Sequence, residues 1–265
     1  MKVGFIGAGR MGCPMAGRLV ETGHQVRVLG RTAGARSELT QLGATAVAEA
    51  VQAAEKADVV IVCVFTDEQV QEVCLNSELL ATMPDGSVLV IHTTGSPRTV
   101  ETIAASAAPH RVGVIDAPLS GGPHDIAADR VTLFVGGADD DVAQARPALA
   151  SYGDPILHVG CTGSGQLVKL VNNTLFAAQI GLVAEAVELG KRLGVEESAL
   201  LAALPHGSAT SRALSSIATR DSVSSFIAMV GDFIGKDVAV VRKVLAVLGS
   251  DLGRMDDIVS AGLDA

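Results

Sequence analysis

Through roughly its first 160 residues the chain alternates short, β-branched apolar runs with helical stretches, and after that the apolar runs stop. The runs stand at residues 3–6, 25–29, 59–65, 88–91, 112–115, 131–135 and 156–159. Stretches with helical patterning lie between most of them, at 11–22, 48–56, 68–81, 97–107 and 140–150. Near-continuous apolar strands separated by helices predict a mostly parallel sheet covered on both faces, the doubly wound α/β arrangement. With no Trp and one Tyr, the core of that sheet has to be built from Ala, Val, Leu and Ile.

Beyond residue 163 only helical patterning remains. Residues 165–193 read as one long helix, apolar nearly all round, which places it between layers or between subunits. Further helices are expected at 197–204, 211–219 and 236–248, each ended by Gly or Pro signals. The predicted organisation is therefore a Rossmann-type domain over 1–162 and an all-helical domain over 163–265 that opens with the long inter-domain helix. The 265-residue length suits two domains, and 48% hydrophobic against 18% charged residues supplies apolar side chains for both cores.

A formal charge of −9 argues against nucleic acid as a partner, which calls for a basic face. The N-terminal residues form a strand pattern with no signal-peptide layout. The long apolar stretch carries Lys169, Asn172, Asn173, Glu185 and Glu188, groups that hydrocarbon would leave unsatisfied, so no membrane span is expected and the protein is placed in the cytoplasm. Cys13, Cys63, Cys74 and Cys161 form no CxxC pair and are read as reduced structural residues. His92, His124, His158 and His206 show no metal-ligand spacing, and no metal is expected.

Gly7-Ala8-Gly9-Arg10-Met11-Gly12 fits GxGxxG, directly after one strand and at the opening of a helix. In that context the first glycine permits the tight turn, the second lets backbone approach a pyrophosphate, and the third allows close packing of helix on strand. The helix start adds its exposed N–H groups and positive dipole end. At the end of the second strand an NAD enzyme carries an acid for the ribose hydroxyls; here Arg31 and Thr32 stand instead, and no acid follows until Glu38. Arg31 can pair with a 2′-phosphate and Thr32 can add a hydrogen bond, so NADP is expected rather than NAD. Phe65 and Thr66 after one strand, and Thr94 and Ser96 after the next, are further cofactor candidates; each also suits a turn or cap, Ser96 with Pro97 especially.

Gln166, Lys169 and Asn173 fall three and four residues apart and share a helix face. Reducing a carbonyl by hydride requires a proton at the oxygen, which an ammonium can give and an amine can take back. An ordinary lysine, with a pKa of about 10.4, is a weak base at neutral pH, and burial would lower it. On residues alone Lys169 is equally well read as a side chain snorkelling to solvent. Ser120-Gly121-Gly122 could converge N–H and hydroxyl donors on a substrate carboxylate, with Asn173 adding its amide, or could simply be a turn.

Ordered blocks of sequence resemble the β-hydroxyacid dehydrogenase family, which includes 3-hydroxyisobutyrate dehydrogenases and semialdehyde reductases. The opening glycine block through Met15-Ala16 is similar to GxGxMGxxMA, Thr93-Thr94-Gly95-Ser96-Pro97 to STxxP, Asp116-Ala117-Pro118-Leu119-Ser120-Gly121-Gly122 to DAPVSGG, and residues 163–173 to GxGxxxKxxNN. Lys236-Asp237 is similar to a later KD pair. The resemblance implies that Lys169 is the catalytic acid and base, that Ser120, Gly121, Gly122 and Asn173 bind a small carboxylate-bearing substrate, and that Thr94 and Lys236 lie beside the nicotinamide. It further implies a homodimer or higher homo-oligomer. The chain departs from the pattern at Asp125 and Asp129, where the family has Gly, at Met229, where it has Phe, and in a short C-terminal region that leaves pocket closure in doubt. Two other readings stay open: an imine reductase on the same scaffold, which typically lacks this Lys, and a non-catalytic dinucleotide-binding regulator.

Overall fold

A computed structural model describes residues 1–263, and these divide into two compact units, one of Met1–Lys169 and one beginning at Leu170. The first unit contains strands β1 (Lys2–Ile6), β2 (Gln25–Leu29), β3 (Thr45–Val47), β4 (Val59–Val62), β5 (Val88–Ile91), β6 (Gly113–Asp116), β7 (Leu119–Ser120), β8 (Val131–Gly136) and β9 (Gly153–Gly160). Between them run helices α1 (Gly12–Glu21), α2 (Ala33–Gln41), α3 (Ala50–Ala54), α4 (Asp67–Cys74), α5 (Leu79–Thr82), α6 (Pro97–Ala107), α7 (Pro123–Ala127) and α8 (Asp139–Leu149). Helix α9 (Ser164–Arg192) begins in this unit and continues into the second, which adds α10 (Glu197–Ala203), α11 (Arg212–Ile217), α12 (Val223–Val247) and α13 (Asp256–Ala261).

The sheet runs β3-β2-β1-β4-β5-β6-β8-β7, with β9 parallel to β8. From β3 to β6 every pairing is parallel, and β8 turns antiparallel to β6 and β7. Successive residues of the central strands feed opposite layers. Val59 and Ile61 join Phe5, Met15, Leu19, Val90 and Ile115, while Val60 and Val62 join Ile6, Leu89, Ile91 and Ile103 on the other face. This two-sided burial is why those strands read as unbroken apolar runs. Strand order reverses between β1 and β4, and the carboxyl ends of these two strands border the crevice where open α/β sheets take their ligands.

Several boundaries differ from the sequence expectation. The strand expected over 59–65 ends at Val62, because Thr66 caps α4 and the chain must turn before it. The helix expected over 68–81 is two helices, with Ser77 closing the first by donating to the Val73 carbonyl at 2.7 Å. The helix expected over 236–248 starts far earlier, at Val223, where Ser222 accepts a hydrogen bond from Ser225 N and Gly231 and Gly235 are carried inside without a break. The short elements β3, α2, β7, α7 and α13 carry too little periodicity to stand out from their loops. The division between the two compact units falls inside α9, after Lys169, and the first turn of α9 is bonded to Asp116 at the end of β6.

In the second unit, Ile180, Val183 and Val187 of α9 pack with Leu201, Leu214, Ile217, Phe226 and Ile227. Ala177 and Ala178 pack with Ile234, Val238 and the fully buried Val259 of α13. Glycines bring α13 unusually near α9: a side chain at Gly181 would collide with the Ile258 carbonyl, and one at Gly262 with that of Ala177. Among the described residues after α12, α13 is therefore a packed helix. By length and composition α9 could cross a bilayer, a property shared by core helices, and half of its most apolar window is buried inside the protein.

Candidate active site

The glycine turn Gly7–Met11 follows β1 directly. Gly7 has φ +105, and a Cβ there would collide with the Cys63 carbonyl of the neighbouring strand end, so only glycine fits. A Cβ on Gly9 would meet nothing within 4 Å, which leaves its backbone open to approach by a ligand. Gly9 N donates to the Gly7 carbonyl at 2.9 Å and its own carbonyl accepts from Cys13 N at 2.9 Å, closing the turn onto α1. Ala8 packs against the core, Arg10 is exposed, Met11 is half-buried, and Gly12 opens the helix. These features fit a dinucleotide's pyrophosphate.

Arg31 is exposed just beyond β2, and Thr32 caps α2 by accepting from Ala35 N at 3.1 Å. Arg36, which sequence reasoning passed over because α2 was not foreseen, donates from Nη1 to the Gly30 carbonyl at 2.8 Å. The end of β2 thus carries a cation on each side of the cap. Phe65 is 60% exposed at the carboxyl end of β4. Thr66 is engaged locally: it caps α4 in a reciprocal box with Gln69, which also accepts from Phe65 N at 2.9 Å.

Thr94 is buried on the loop after β5. That loop is held by residues the sequence reading missed. Thr93 Oγ1 accepts from Val64 N at 3.0 Å and donates to the Val64 carbonyl at 2.9 Å, joining the ends of β4 and β5. Asp67 Oδ1 accepts from Ser96 N at 3.0 Å, and its Oδ2 accepts from Thr99 Oγ1 at 2.6 Å and Gln71 Nε2 at 3.0 Å. Ser96 makes no side-chain cap; Pro97 does open α6. Asp67 follows a capping threonine, and that context is what disguised it as an ordinary first-turn acid.

The start of α9 is tied down on two sides. Asp116, fully buried at the end of β6, accepts from Gly163 N and Gln166 N, each at 2.7 Å. Burial pushes its carboxyl up to about 6, against the pull of those N–H donors. Gln166, also fully buried, donates from Nε2 to the Thr93 carbonyl at 2.8 Å and accepts from Gly95 N at 3.0 Å. Three residues further along α9 lies Lys169, 4% exposed. Behind these groups His92 spans from Ala117 O, 2.5 Å from Nδ1, to the Tyr152 hydroxyl, 2.7 Å from Nε2. Burial holds the imidazole neutral, its pKa lowered to about 4. The lysine is thus buried rather than snorkelling outward, on a helix start that cannot shift without breaking several buried hydrogen bonds.

Ser120 is half-buried and Gly121 exposed, but Gly122 is not an open donor: its N–H goes to Asp125 Oδ2 at 2.8 Å. Asp129 has the left-handed φ of +56 at a position where a glycine would be at ease, and pairs through both carboxylate oxygens with Arg18 of α1. It is committed to that ion pair rather than aimed at an anion site.

In the second unit Asn173 is 2% exposed, accepts from Asn172 Nδ2 at 2.9 Å, and donates to Asp237 Oδ2. Asp237 is fully buried, with Lys236 Nζ 2.9 Å from its Oδ1. Asp237 orients the asparagine amide and was named from sequence only as part of a motif. Met229 is 49% exposed on α12.

A Rossmann sheet, an open glycine turn at its switch point and a buried lysine at the start of the following helix define an NAD(P)-dependent oxidoreductase. Comparison with known proteins makes this specific. Residues 2–162 match the model of the NAD binding domain of 6-phosphogluconate dehydrogenase, and residues 163–260 match that of the NAD-binding region of NADP-dependent 3-hydroxyisobutyrate dehydrogenase. The chain belongs to the β-hydroxyacid dehydrogenase family, the NAD(P)-dependent 3-hydroxyacid dehydrogenases. It is 35% identical over 199 residues to a 3-hydroxyisobutyrate dehydrogenase of Pseudomonas aeruginosa, spanning 75% of this chain and 67% of that protein. An NAD-dependent L-serine dehydrogenase of the same organism is 35% identical over 200 residues, with the same coverage. Among solved structures, the 3-hydroxyisobutyrate dehydrogenase of Mycobacterium tuberculosis with L-serine has a TM-score of 0.85 at 28% identity, covering 99% of this chain and 91% of that one. Imine reductases share the fold at 21% identity, with TM-scores of 0.70 and 0.69.

Proposed function

We propose that the chain interconverts a small hydroxy acid, a β-hydroxy acid with its semialdehyde or a 2-hydroxy acid with its 2-oxo acid, using NADP(H), Lys169 carrying the proton. The observation that supports this most is the burial of Lys169 on a helix start fixed to the loop after β5 and the end of β6. Buried ionisable groups cluster at functional sites, where proton transfer needs them. The nicotinamide, when bound, exchanges the hydride with the substrate carbon. Lys169 Nζ gives a proton to the carbonyl oxygen as that oxygen becomes a hydroxyl, and takes it back in the oxidation direction.

The Gly7–Gly12 turn would hold the pyrophosphate, with Phe65, Thr66 and Thr94 along the strand ends, and the family resemblance assigns Lys236 to the nicotinamide. Arg31, with the Thr32 hydroxyl, takes the 2′-phosphate, and Arg36 extends the same basic edge. The family model that matches residues 163–260, described for an NADP-dependent enzyme, is in keeping with this choice. On the substrate side, Ser120, Gly121 and Asn173 supply donors. The relatives that act on 3-hydroxyisobutyrate and L-serine support a short β-hydroxy acid as substrate. Copies of the chain associate through α9, whose outer face exposes Leu167, Val171, Leu175, Leu182 and Leu189.

NADPH oxidation with glyoxylate, succinic semialdehyde and tartronate semialdehyde, and NADP reduction with 3-hydroxyisobutyrate and L-serine, test the reading. Turnover of at least one pair that disappears in Lys169→Ala is expected. Imine reduction surviving that substitution, or cofactor binding with no turnover at all, would contradict it.

A further inference from the structure

Gln166, fully buried in the first turn of α9, spends both ends of its side-chain amide on one loop. Its Oε1 accepts from Gly95 N at 3.0 Å, and its Nε2 donates to the Thr93 carbonyl at 2.8 Å. These partners fix which way the amide faces, since an N–H needs an oxygen and a carbonyl needs a donor. The amide bonds residues 93 and 95 as a residue of a parallel neighbouring strand would, and so clasps the backbone on both sides of the buried Thr94. The loop is held from behind as well. Asp67 Oδ1 accepts from Ser96 N at 3.0 Å, and a Cβ on Gly95 would collide with that same oxygen. The backbone of Gln166 is fixed in turn, its N–H donating to Asp116 Oδ2 at 2.7 Å at the end of β6. Lys169 follows three residues on, on the same face of the helix.

We propose that Gln166 is a positioning residue, its amide keeping the loop that carries Thr94 in register with the helix turn that carries Lys169. The proposal rests on the function read above, in which Thr94 borders the cofactor and Lys169 moves the proton. Hydride and proton must reach neighbouring atoms of one carbonyl, so the separation of those two elements enters the rate directly, and a shift of about 1 Å can cost about a hundredfold. An amide suits this task because it donates and accepts at once without bringing a charge. A carboxylate in its place would have no hydrogen to give the Thr93 carbonyl, and would leave that buried oxygen facing another acceptor. The charged and titratable groups around the amide are Asp116 at the end of β6, Asp67 on α4 beyond Gly95, His92 just before the loop, and Lys169 on α9 itself.

The test follows kcat and KM against pH in wild type, Gln166→Met and Gln166→Glu, with the semialdehyde that wild type reduces fastest. Gln166→Met keeps the size of the side chain and loses both bonds; its kcat is expected to fall about tenfold to a hundredfold while KM for NADPH stays within about threefold. Gln166→Glu carries its own rescue. Protonated, the new carboxyl accepts from Gly95 N and donates to the Thr93 carbonyl, as the amide does; ionised, it loses the second bond. Burial beside Asp116 favours the protonated form. The variant's kcat relative to wild type should therefore approach one in acid and fall about tenfold or more between about pH 5.5 and pH 9. The surrounding acids, His92 and Lys169 are common to both proteins, so the ratio isolates the new carboxyl. A Gln166→Met enzyme with kcat close to wild type, a flat ratio for Gln166→Glu, or a loss confined to KM for NADPH would overturn the proposal while leaving the dehydrogenase reading intact. NADPH binding with no turnover by wild type itself would count against that reading, and against the positioning role with it.

Discussion

Asp116 and His92 stand at the ends of adjacent strands and are both buried, with opposite consequences for pH. Burial lowers the His92 pKa to about 4, so as pH falls below about 6.5 the unfolded chain takes up a proton that the folded one does not. Stability from this group is complete above that range and drains away toward pH 4. Asp116 is raised to about 6, so between about 4 and 6 the folded protein holds the extra proton and stability rises as pH falls. The two slopes oppose each other over most of the acid range. Replacing His92 by Asn removes one of them. Urea melts at pH 6.5 and 4.5 should show the variant gaining, relative to wild type, about 1–3 kcal/mol on acidification. A parallel loss in both proteins would mean that His92 does not titrate as its burial requires. At the cofactor edge, Arg31→Asp should raise KM for NADP about tenfold or more while changing KM for NAD much less, because only NADP loses a charge-assisted phosphate contact. Equal loss for both cofactors would remove that assignment.

Among the elements, α9 draws together most of what the site needs. Its first turn is capped by a carboxylate from β6, fifty residues earlier in the chain than Gln166, and is cross-linked by that glutamine to the loop after β5. Neither bond could be read from local patterning: a helix start at Ser164 preceded by glycines shows no capping residue, because the cap comes from another strand. The apolar runs of β1, β4 and β5 were legible since burial on both faces leaves a continuous signal. In contrast, α2 is mostly exposed, α7 spans only Pro123–Ala127, and β3 spans only Thr45–Val47. The residues of the glycine turn and Lys169 were legible because their chemistry is unusual in their surroundings. Asp67, Thr93 and Arg36 were not, being ordinary polar residues whose role comes only from tertiary placement. The glycine contact between α9 and α13 is another feature visible only in three dimensions. Gly181→Ala should push α13 outward, costing about 1–3 kcal/mol and several degrees of Tm, as read by thermal unfolding. An unchanged Tm would show the contact to be soft.

For the whole molecule, the leucines on the outer face of α9 are the largest departure from an ordinary surface. Leu167, Val171, Leu175, Leu182 and Leu189 are each at least half exposed. If copies associate there, sedimentation should give a dimer or larger species at micromolar concentration, and Leu175→Glu with Leu182→Glu should yield a monomer. A wild-type monomer would leave that face unexplained. The family relationship spans both units, residues 2–162 and 163–260, so the oxidoreductase assignment rests on the chain as a whole. The proposed proton transfer rests on Lys169. Its most direct test is a single-turnover measurement of NADPH oxidation by Lys169→Ala beside wild type, with NADPH affinity followed in parallel. The hydride step should slow about 10²–10⁴-fold while cofactor affinity stays within about threefold. A Lys169→Ala enzyme that reduces the same semialdehyde at close to the wild-type rate would contradict the account.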